Sequence, residues 1–158
     1  MAEEKYLKQY EKSASGNYLL KSRGILEFSK TVTAATTLTQ EESGSTIFMV
    51  AGADNVVITL PAVKAGLSFK FVHSAASAAA TCRITPVGAS IVGYVVAQEG
   101  GNADATTADG LVSVLDGADD KYVQLTKATG HKGNYIELCC DGADWFVVGG
   151  VGTFAHQA

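Results

Sequence analysis

The chain has 158 residues, of which 47% are hydrophobic and 18% charged, and its formal net charge is −4 at pH 7. This composition excludes a disordered chain, and the length suits one domain with a sizeable core. No stretch approaches the roughly 20 apolar residues of a membrane-spanning helix. Met1-Ala2-Glu3-Glu4 also lacks the apolar region of a signal peptide, so we expect synthesis in a cytoplasm.

Charge is distributed unevenly along the chain. Residues 1–30 contain six basic and four acidic side chains, whereas residues 31–158 contain six basic and twelve acidic ones. The first segment is therefore +2 and the remainder −6. A body with this charge is a poor surface for nucleic acid, so we expect no nucleic-acid partner and, without an apolar span, no membrane partner.

Residues 1–30 predict an N-terminal arm, partly extended, that precedes the folded domain. Glu3–Lys12 could form a short helix, which Ser13–Asn17 would end. Apolar clusters follow, and such clusters usually pack against another surface. The candidate partner-binding residues are Tyr18, Leu19, Leu20, Arg23, Ile25, Leu26 and Phe28. Two interpretations remain open: the arm packs on its own body, or it reaches another protein.

From Thr31 onward, short β-prone runs alternate with turn signals. Strands are predicted at 31–38, 46–50, 55–60, 67–72, 81–85, 91–96, 111–115 and 121–127. Pro61 closes the third run because it cannot donate to a strand ladder. The alanine-rich segment 73–80 is interpreted as a loop or a single helical turn, and 98–109 as a loop.

The stretch Gly133–Gly150, GNYIELCCDGADWFVVGG, predicts a β-hairpin. Its first arm alternates with period two, residues 141–144 supply the turn, and Trp145–Val148 returns as the second arm. Gly149–Thr153 is interpreted as a flexible exit and not as a phosphate-binding loop. About ten short strands without βαβ alternation favour an all-β fold over residues 31–158, a β-sandwich or a barrel, with a short C-terminal tail.

This hairpin, together with Thr46-Ile47-Phe48 and the strand Asn55–Pro61, resembles small β-rich virion proteins of tailed bacteriophages. The resemblance covers roughly residues 31–150. It implies an antiparallel β-sandwich of jelly-roll type and a non-enzymatic capsid decoration (cement) protein, a homotrimer that binds the major capsid protein at the capsid surface. The alternative that it implies is the receptor- or glycan-binding head of a tail fibre. A host carbohydrate-binding module is a weaker third hypothesis, because the chain has one tryptophan.

Other candidate sites favour structural interpretations. Cys82, Cys139 and Cys140 lack the spacing of a metal or redox motif, and we expect Cys82 and Cys140 to be buried and reduced. Asp116, Asp119 and Asp120 predict a solvated turn more than a calcium loop. Trp145 is assigned to the core. No G-x-S-x-G elbow or comparable motif supports a hydrolase, so we expect no catalytic, cofactor or metal site.

Overall fold

The computed structural model describes residues 10–12, 18–20, 29–52, 55–75, 80–96, 112–116, 122–125, 130–152 and 154–156. These residues form strands joined by turns, with a short 3-10 helix at Gln40–Glu42. The strands are β1 Tyr10–Lys12, β2 Tyr18–Leu20, β3 Ser29–Val32, β4 Thr36–Thr37, β5 Ser45–Met49, β6 Val56–Thr59, β7 Ser68–His73, β8 Cys82–Thr85, β9 Ile91–Val96, β10 Val112–Asp116, β11 Val123–Leu125, β12 Tyr135–Cys140, β13 Trp145–Val151 and β14 Phe154–His156.

The strands from β3 onward form two sheets. The large sheet has the order β10-β9-β13-β12-β7-β5-β3, and the small sheet has the order β14-β11-β8-β6-β4. Buried side chains from both sheets belong to a single apolar cluster, to which the large sheet contributes Phe71 and Trp145 and the small sheet Ile58 and Leu125. The predicted all-β sandwich is therefore confirmed.

The strand pairing differs from the antiparallel arrangement that was predicted. From β3 to β8 the chain alternates between the sheets, so that β3, β5 and β7 are parallel neighbours in one sheet and β4, β6 and β8 in the other. Each parallel crossover thus runs through a strand of the opposite sheet. The later strands add antiparallel pairs such as β7–β12 and β12–β13, and one parallel pair, β9–β13. A jelly roll is built from antiparallel strands and does not describe these ladders.

The predicted strand 31–38 is in fact two strands in different sheets. β3 pairs with β5 in the large sheet, and β4 pairs with β6 in the small sheet. Residues 33–35 are exposed and carry the chain across the edge of the sandwich. Lys30 and Glu42 form an ion pair of 2.6 Å near this edge, and the Glu42 carboxylate accepts the backbone N–H of Thr39 at 2.8 Å. The β-branched composition did not predict this change of sheet, because β3 and β4 both contain β-branched residues.

The core follows from the period-two alternation of side chains along each strand. In β7, Phe69, Phe71 and His73 are buried, whereas the residues between them are half-buried on the outer face. Trp145 is fully buried, and its ring centre lies 5.9 Å from that of Phe69. The assignment of Trp145 to the core is therefore confirmed, and that position excludes a stacking role on a surface ligand. Cys82 joins the same cluster.

The C-terminal hairpin forms as predicted at its turn but extends further. Asp141 Oδ1 accepts the backbone N–H groups of Asp144 and Ala143, at 2.9 and 2.8 Å, and these bonds lower the pKa of the Asp141 carboxyl. Gly142 takes a φ of 109°, which favours glycine. The prediction of a flexible exit is wrong for residues 149–151, because β13 continues to Val151. β14, which pairs with β11, was not predicted.

The N-terminal arm contains a two-stranded antiparallel pair, β1 with β2, in which Tyr10 lies opposite Leu20. The predicted helix is therefore wrong for Tyr10–Lys12, and residues 3–9 lie outside the described part of the chain. β3 begins at Ser29, two residues before the predicted start of the folded body.

Gly93 allows β9 and β13 to approach closely. Its φ is +134°, and a Cβ built there would lie 2.9 Å from the Cβ of Val147 and 3.2 Å from the Val147 backbone. A side chain at this position would therefore be strained by the backbone and would also clash with the neighbouring strand. Every residue other than glycine would meet both the backbone strain and the clash with Val147.

We expect Gly93→Ala to destabilise the protein by at least about 2 kcal/mol, which combines backbone strain with overpacking. The matched control is Gly52→Ala, because Gly52 has no positive φ and a Cβ there would meet nothing within 4 Å. The control should change stability by no more than about 0.5 kcal/mol. Urea unfolding of the two variants beside the parent measures the difference, and equal midpoints would contradict this account of Gly93.

Candidate interaction surface

Exposed apolar side chains concentrate on two adjacent strands of the large sheet. Six large hydrophobic residues are exposed in the described part of the chain, and five of them lie in β9 and β13. They are Tyr94 (67% exposed), Val148 (65%), Val96 (51%), Phe146 (38%) and Val151 (36%). With the half-buried Val92 they define the apolar face. The sixth residue, Val87, lies outside it in the turn between β8 and β9.

The position of these side chains follows from strand alternation and register. Ile91 and Val95 are fully buried, so Val92, Tyr94 and Val96, which alternate with them in β9, lie on the opposite, outer side. Across the parallel pair, Val151 lies opposite Val96, and Phe146 lies opposite Val92. Cross-strand partners on one face are in contact range. The apolar residues therefore form a continuous patch.

A β-bulge at Val148 shapes this patch. Glu137 pairs with Gly149 and Leu138 with Val147, so that Val148 is an additional residue without a counterpart in β12. The extra residue shifts, beyond Val148, which positions of β13 lie on the inner and outer sides of the sheet. It allows Trp145 to lie opposite the buried Cys140 while Val148 remains largely exposed.

The described lysine and glutamate nearest the apolar face form an ion pair. Glu137 lies in β12, next to β13, and its Oε1 is 2.6 Å from Nζ of Lys70 in β7, which also lies 4.6 Å from the ring centre of Tyr135. At the start of β13, Asp144 accepts the backbone N–H of Ser90 at 3.0 Å. At the end of β10, Asp116 is the register partner of Val92. The described positions of the face itself hold no charged side chain.

On the outer face of the small sheet, Arg83 contacts Tyr122 and Gln124. Arg83 stacks on the ring of Tyr122, with its guanidinium carbon 3.9 Å from the ring centre. Arg83 Nε and Nη2 both donate to Gln124 Oε1, at 3.2 and 3.1 Å. Because Gln124 is the cross-strand partner of Arg83, these contacts are those of a stabilising pair within a sheet.

The predicted partner-binding residues lie in the arm. Tyr18, Leu19 and Leu20 form β2, which pairs with β1 through the backbone. Arg23, Ile25, Leu26 and Phe28 lie outside the described residues.

The apolar face was missed at the level of sequence. Its signal was present in Trp145-Phe146-Val147-Val148 and in Ile91-Val92-Gly93-Tyr94-Val95-Val96, where apolar residues occupy both alternating sets of positions. A strand with one solvated face should alternate with polar residues. Two neighbouring strands that do not alternate predict a second apolar face.

The side chain types that bind metals are dispersed in the described part of the chain. No group of three or more His, Cys, Asp or Glu side chains there could hold a metal ion. Cys140 is buried, and its Sγ accepts the Gly142 backbone N–H at 3.3 Å, whereas the adjacent Cys139 is half-buried on the outer face. Asp116 ends β10, and Asp119 and Asp120 lie outside the described residues.

Among the residues described, no helix has the length and apolarity needed to cross a bilayer. No model of a known protein family matches the chain, and no curated protein matches it.

We expect His73→Leu to stabilise the protein. His73 is fully buried, and neither of its ring nitrogens has a hydrogen-bond partner among the described residues. An unsatisfied buried polar group costs about 1–3 kcal/mol, and leucine has a similar volume without that cost. The urea midpoint should therefore rise for His73→Leu and fall for His73→Ala, which leaves a cavity. A clear loss of stability in the leucine variant would show that the imidazole has a partner.

The thiols should differ sharply in reactivity. Burial raises the pKa of the Cys82 thiol to about 11, so that the reactive thiolate is rare at pH 8. Cys140 is also buried, and Cys139 is the accessible member of the set. Iodoacetamide at pH 8, followed by peptide mass spectrometry, should label Cys139 first and the other two only after denaturation. Rapid native labelling of Cys82 would contradict its position in the core.

Proposed function

We propose that this protein is a non-enzymatic structural protein of a phage virion. In this proposal it is a capsid decoration protein, a homotrimer that binds the major capsid protein on the assembled shell. It would be made and assembled in the host cytoplasm. The structural observation that supports an adhesive, oligomeric protein is the apolar face, an exposed apolar surface on hydrogen-bonded strands. The largest apolar patch on a protein is often a site of contact with another molecule.

The sandwich suits an adhesive role. Its outer strands are held by backbone hydrogen bonds and by the shared core, so binding another protein requires little ordering of the surface. A protein that binds only the assembled shell stabilises that shell by mass action. The resemblance of the C-terminal hairpin and of the strand Asn55–Pro61 to phage virion proteins supplies the link to capsids.

Within this proposal, residues 1–30 are the capsid-binding segment. They have a net charge of +2 and contain the apolar residues Tyr18, Leu19, Leu20, Ile25, Leu26 and Phe28 together with Arg23, whereas the remainder of the chain is −6. Apolar side chains contribute to binding when a partner removes them from water. The positive charge would make attachment weaker at high salt.

We expect deletion of residues 1–28 to abolish capsid binding and to leave the unfolding temperature of the body nearly unchanged. The truncation starts at Ser29 because β3 begins there. Co-sedimentation with capsids that lack the protein measures binding, and calorimetry measures folding. The full-length variant Leu26→Asp should also weaken binding, which separates loss of contact from loss of fold.

Equal binding by the truncated and full-length proteins would move the attachment surface to the β body. Binding to host cells instead of capsids would favour the head of a tail fibre.

A further inference from the structure

The apolar face has the size of an interface core. With aromatic side chains of about 150–250 Å² each, the exposed fractions of Tyr94, Val96, Phe146, Val148 and Val151 amount to roughly 500 Å². A stable protein interface buries about 800 Å² on each partner, with an apolar centre and a polar rim. The area of the face is therefore sufficient for the apolar centre of one such interface.

The charge of the chain restricts contact between copies to an uncharged part of the surface. Two copies of a body with charge −6 repel each other over most of their surfaces. The described outward positions of β9 and β13 hold no charged side chain. Beyond them, Lys70 and Glu137 form a pair, and Asp116 in β10 is the register partner of Val92. Copies of the chain can therefore approach through this face with the least repulsion. An apolar surface is also complementary to the same surface on another copy, so the faces of several copies can pack together around a symmetry axis.

The geometry supports a specific contact. Tyr94 and Phe146 are aromatic, and aromatic side chains are common anchors in protein interfaces. Val148 is an additional residue at the β-bulge and is 65% exposed, so it is available to pack against a facing subunit. Both strands lie within the large sheet rather than at its edge, so this contact is made by side chains and not by addition of a strand.

We infer that the apolar face is the interface between copies of this chain, so that the faces of the copies meet at the centre of the oligomer. This inference rests on the proposed function, which includes the oligomer. It assigns contact between copies and attachment to the capsid to different parts of the molecule. The face on β9 and β13 joins the copies, and the arm attaches the assembled oligomer to the capsid.

The test compares Val148→Asp with Val87→Asp in the full-length protein. Both positions are exposed valines, but Val87 lies in a turn outside the face. A buried unpaired carboxylate should weaken assembly roughly 100-fold or more. Sedimentation at micromolar concentration should show an oligomer for the parent and for Val87→Asp, and a monomer for Val148→Asp. Circular dichroism checks the fold of each variant.

A second variant, Tyr94→Ser, uses the same assay and decides the question if Val148→Asp does not fold. A monomeric parent protein would overturn the inference, and so would an oligomer that both face variants leave intact. Capsid co-sedimentation separates this inference from the proposed function. A parent oligomer that the face variants dissociate, but that does not bind capsids, would contradict the capsid role and support the interface.

Discussion

The period-two alternation of side chains along a β-strand determines both the core and the surface of this protein. Each strand of the sandwich directs one set of side chains toward the opposite sheet and the other set outward. In β7 and β12 the outward set is polar or half-buried, and Lys70 and Glu137 form an ion pair across it. In β9 and β13 both sets are apolar. The core contacts only one of them, and the other lies exposed on the outer side of the sheet.

This constraint also explains the local irregularities. Gly93 lacks a side chain where Val147 approaches within 2.9 Å of a possible Cβ, and the extra residue Val148 changes the register of β13. Together they let two strands pair in parallel while Trp145 remains in the core and Phe146 on the surface. The same adjustments bring Tyr94, Phe146 and Val148 onto one exposed face.

Much of the fold could be predicted from local patterns, because strand alternation and turn residues are local signals. The hairpin turn at Asp141–Asp144, the end of β6 before Pro61 and the burial of Cys140 followed from them. Strand partners could not be predicted, because parallel and antiparallel neighbours have similar alternation and differ in contacts distant along the chain. The change of sheet between β3 and β4 was missed for the same reason. The apolar face was not predicted, because apolar residues at both alternating sets of positions are also typical of a strand that is buried on both sides.

Hydroxyl-radical footprinting across a dilution series tests the central claim most directly, namely that the outer face of β9 and β13 is covered by further copies of the chain. The exposed Val87 serves as an internal reference because it lies outside that face. The account predicts that oxidation of Tyr94 and Phe146 is low at concentrations where the protein is assembled and rises on dilution, while oxidation of Val87 stays constant. Equal oxidation of Tyr94 and Phe146 in the assembled and dissociated protein would contradict it.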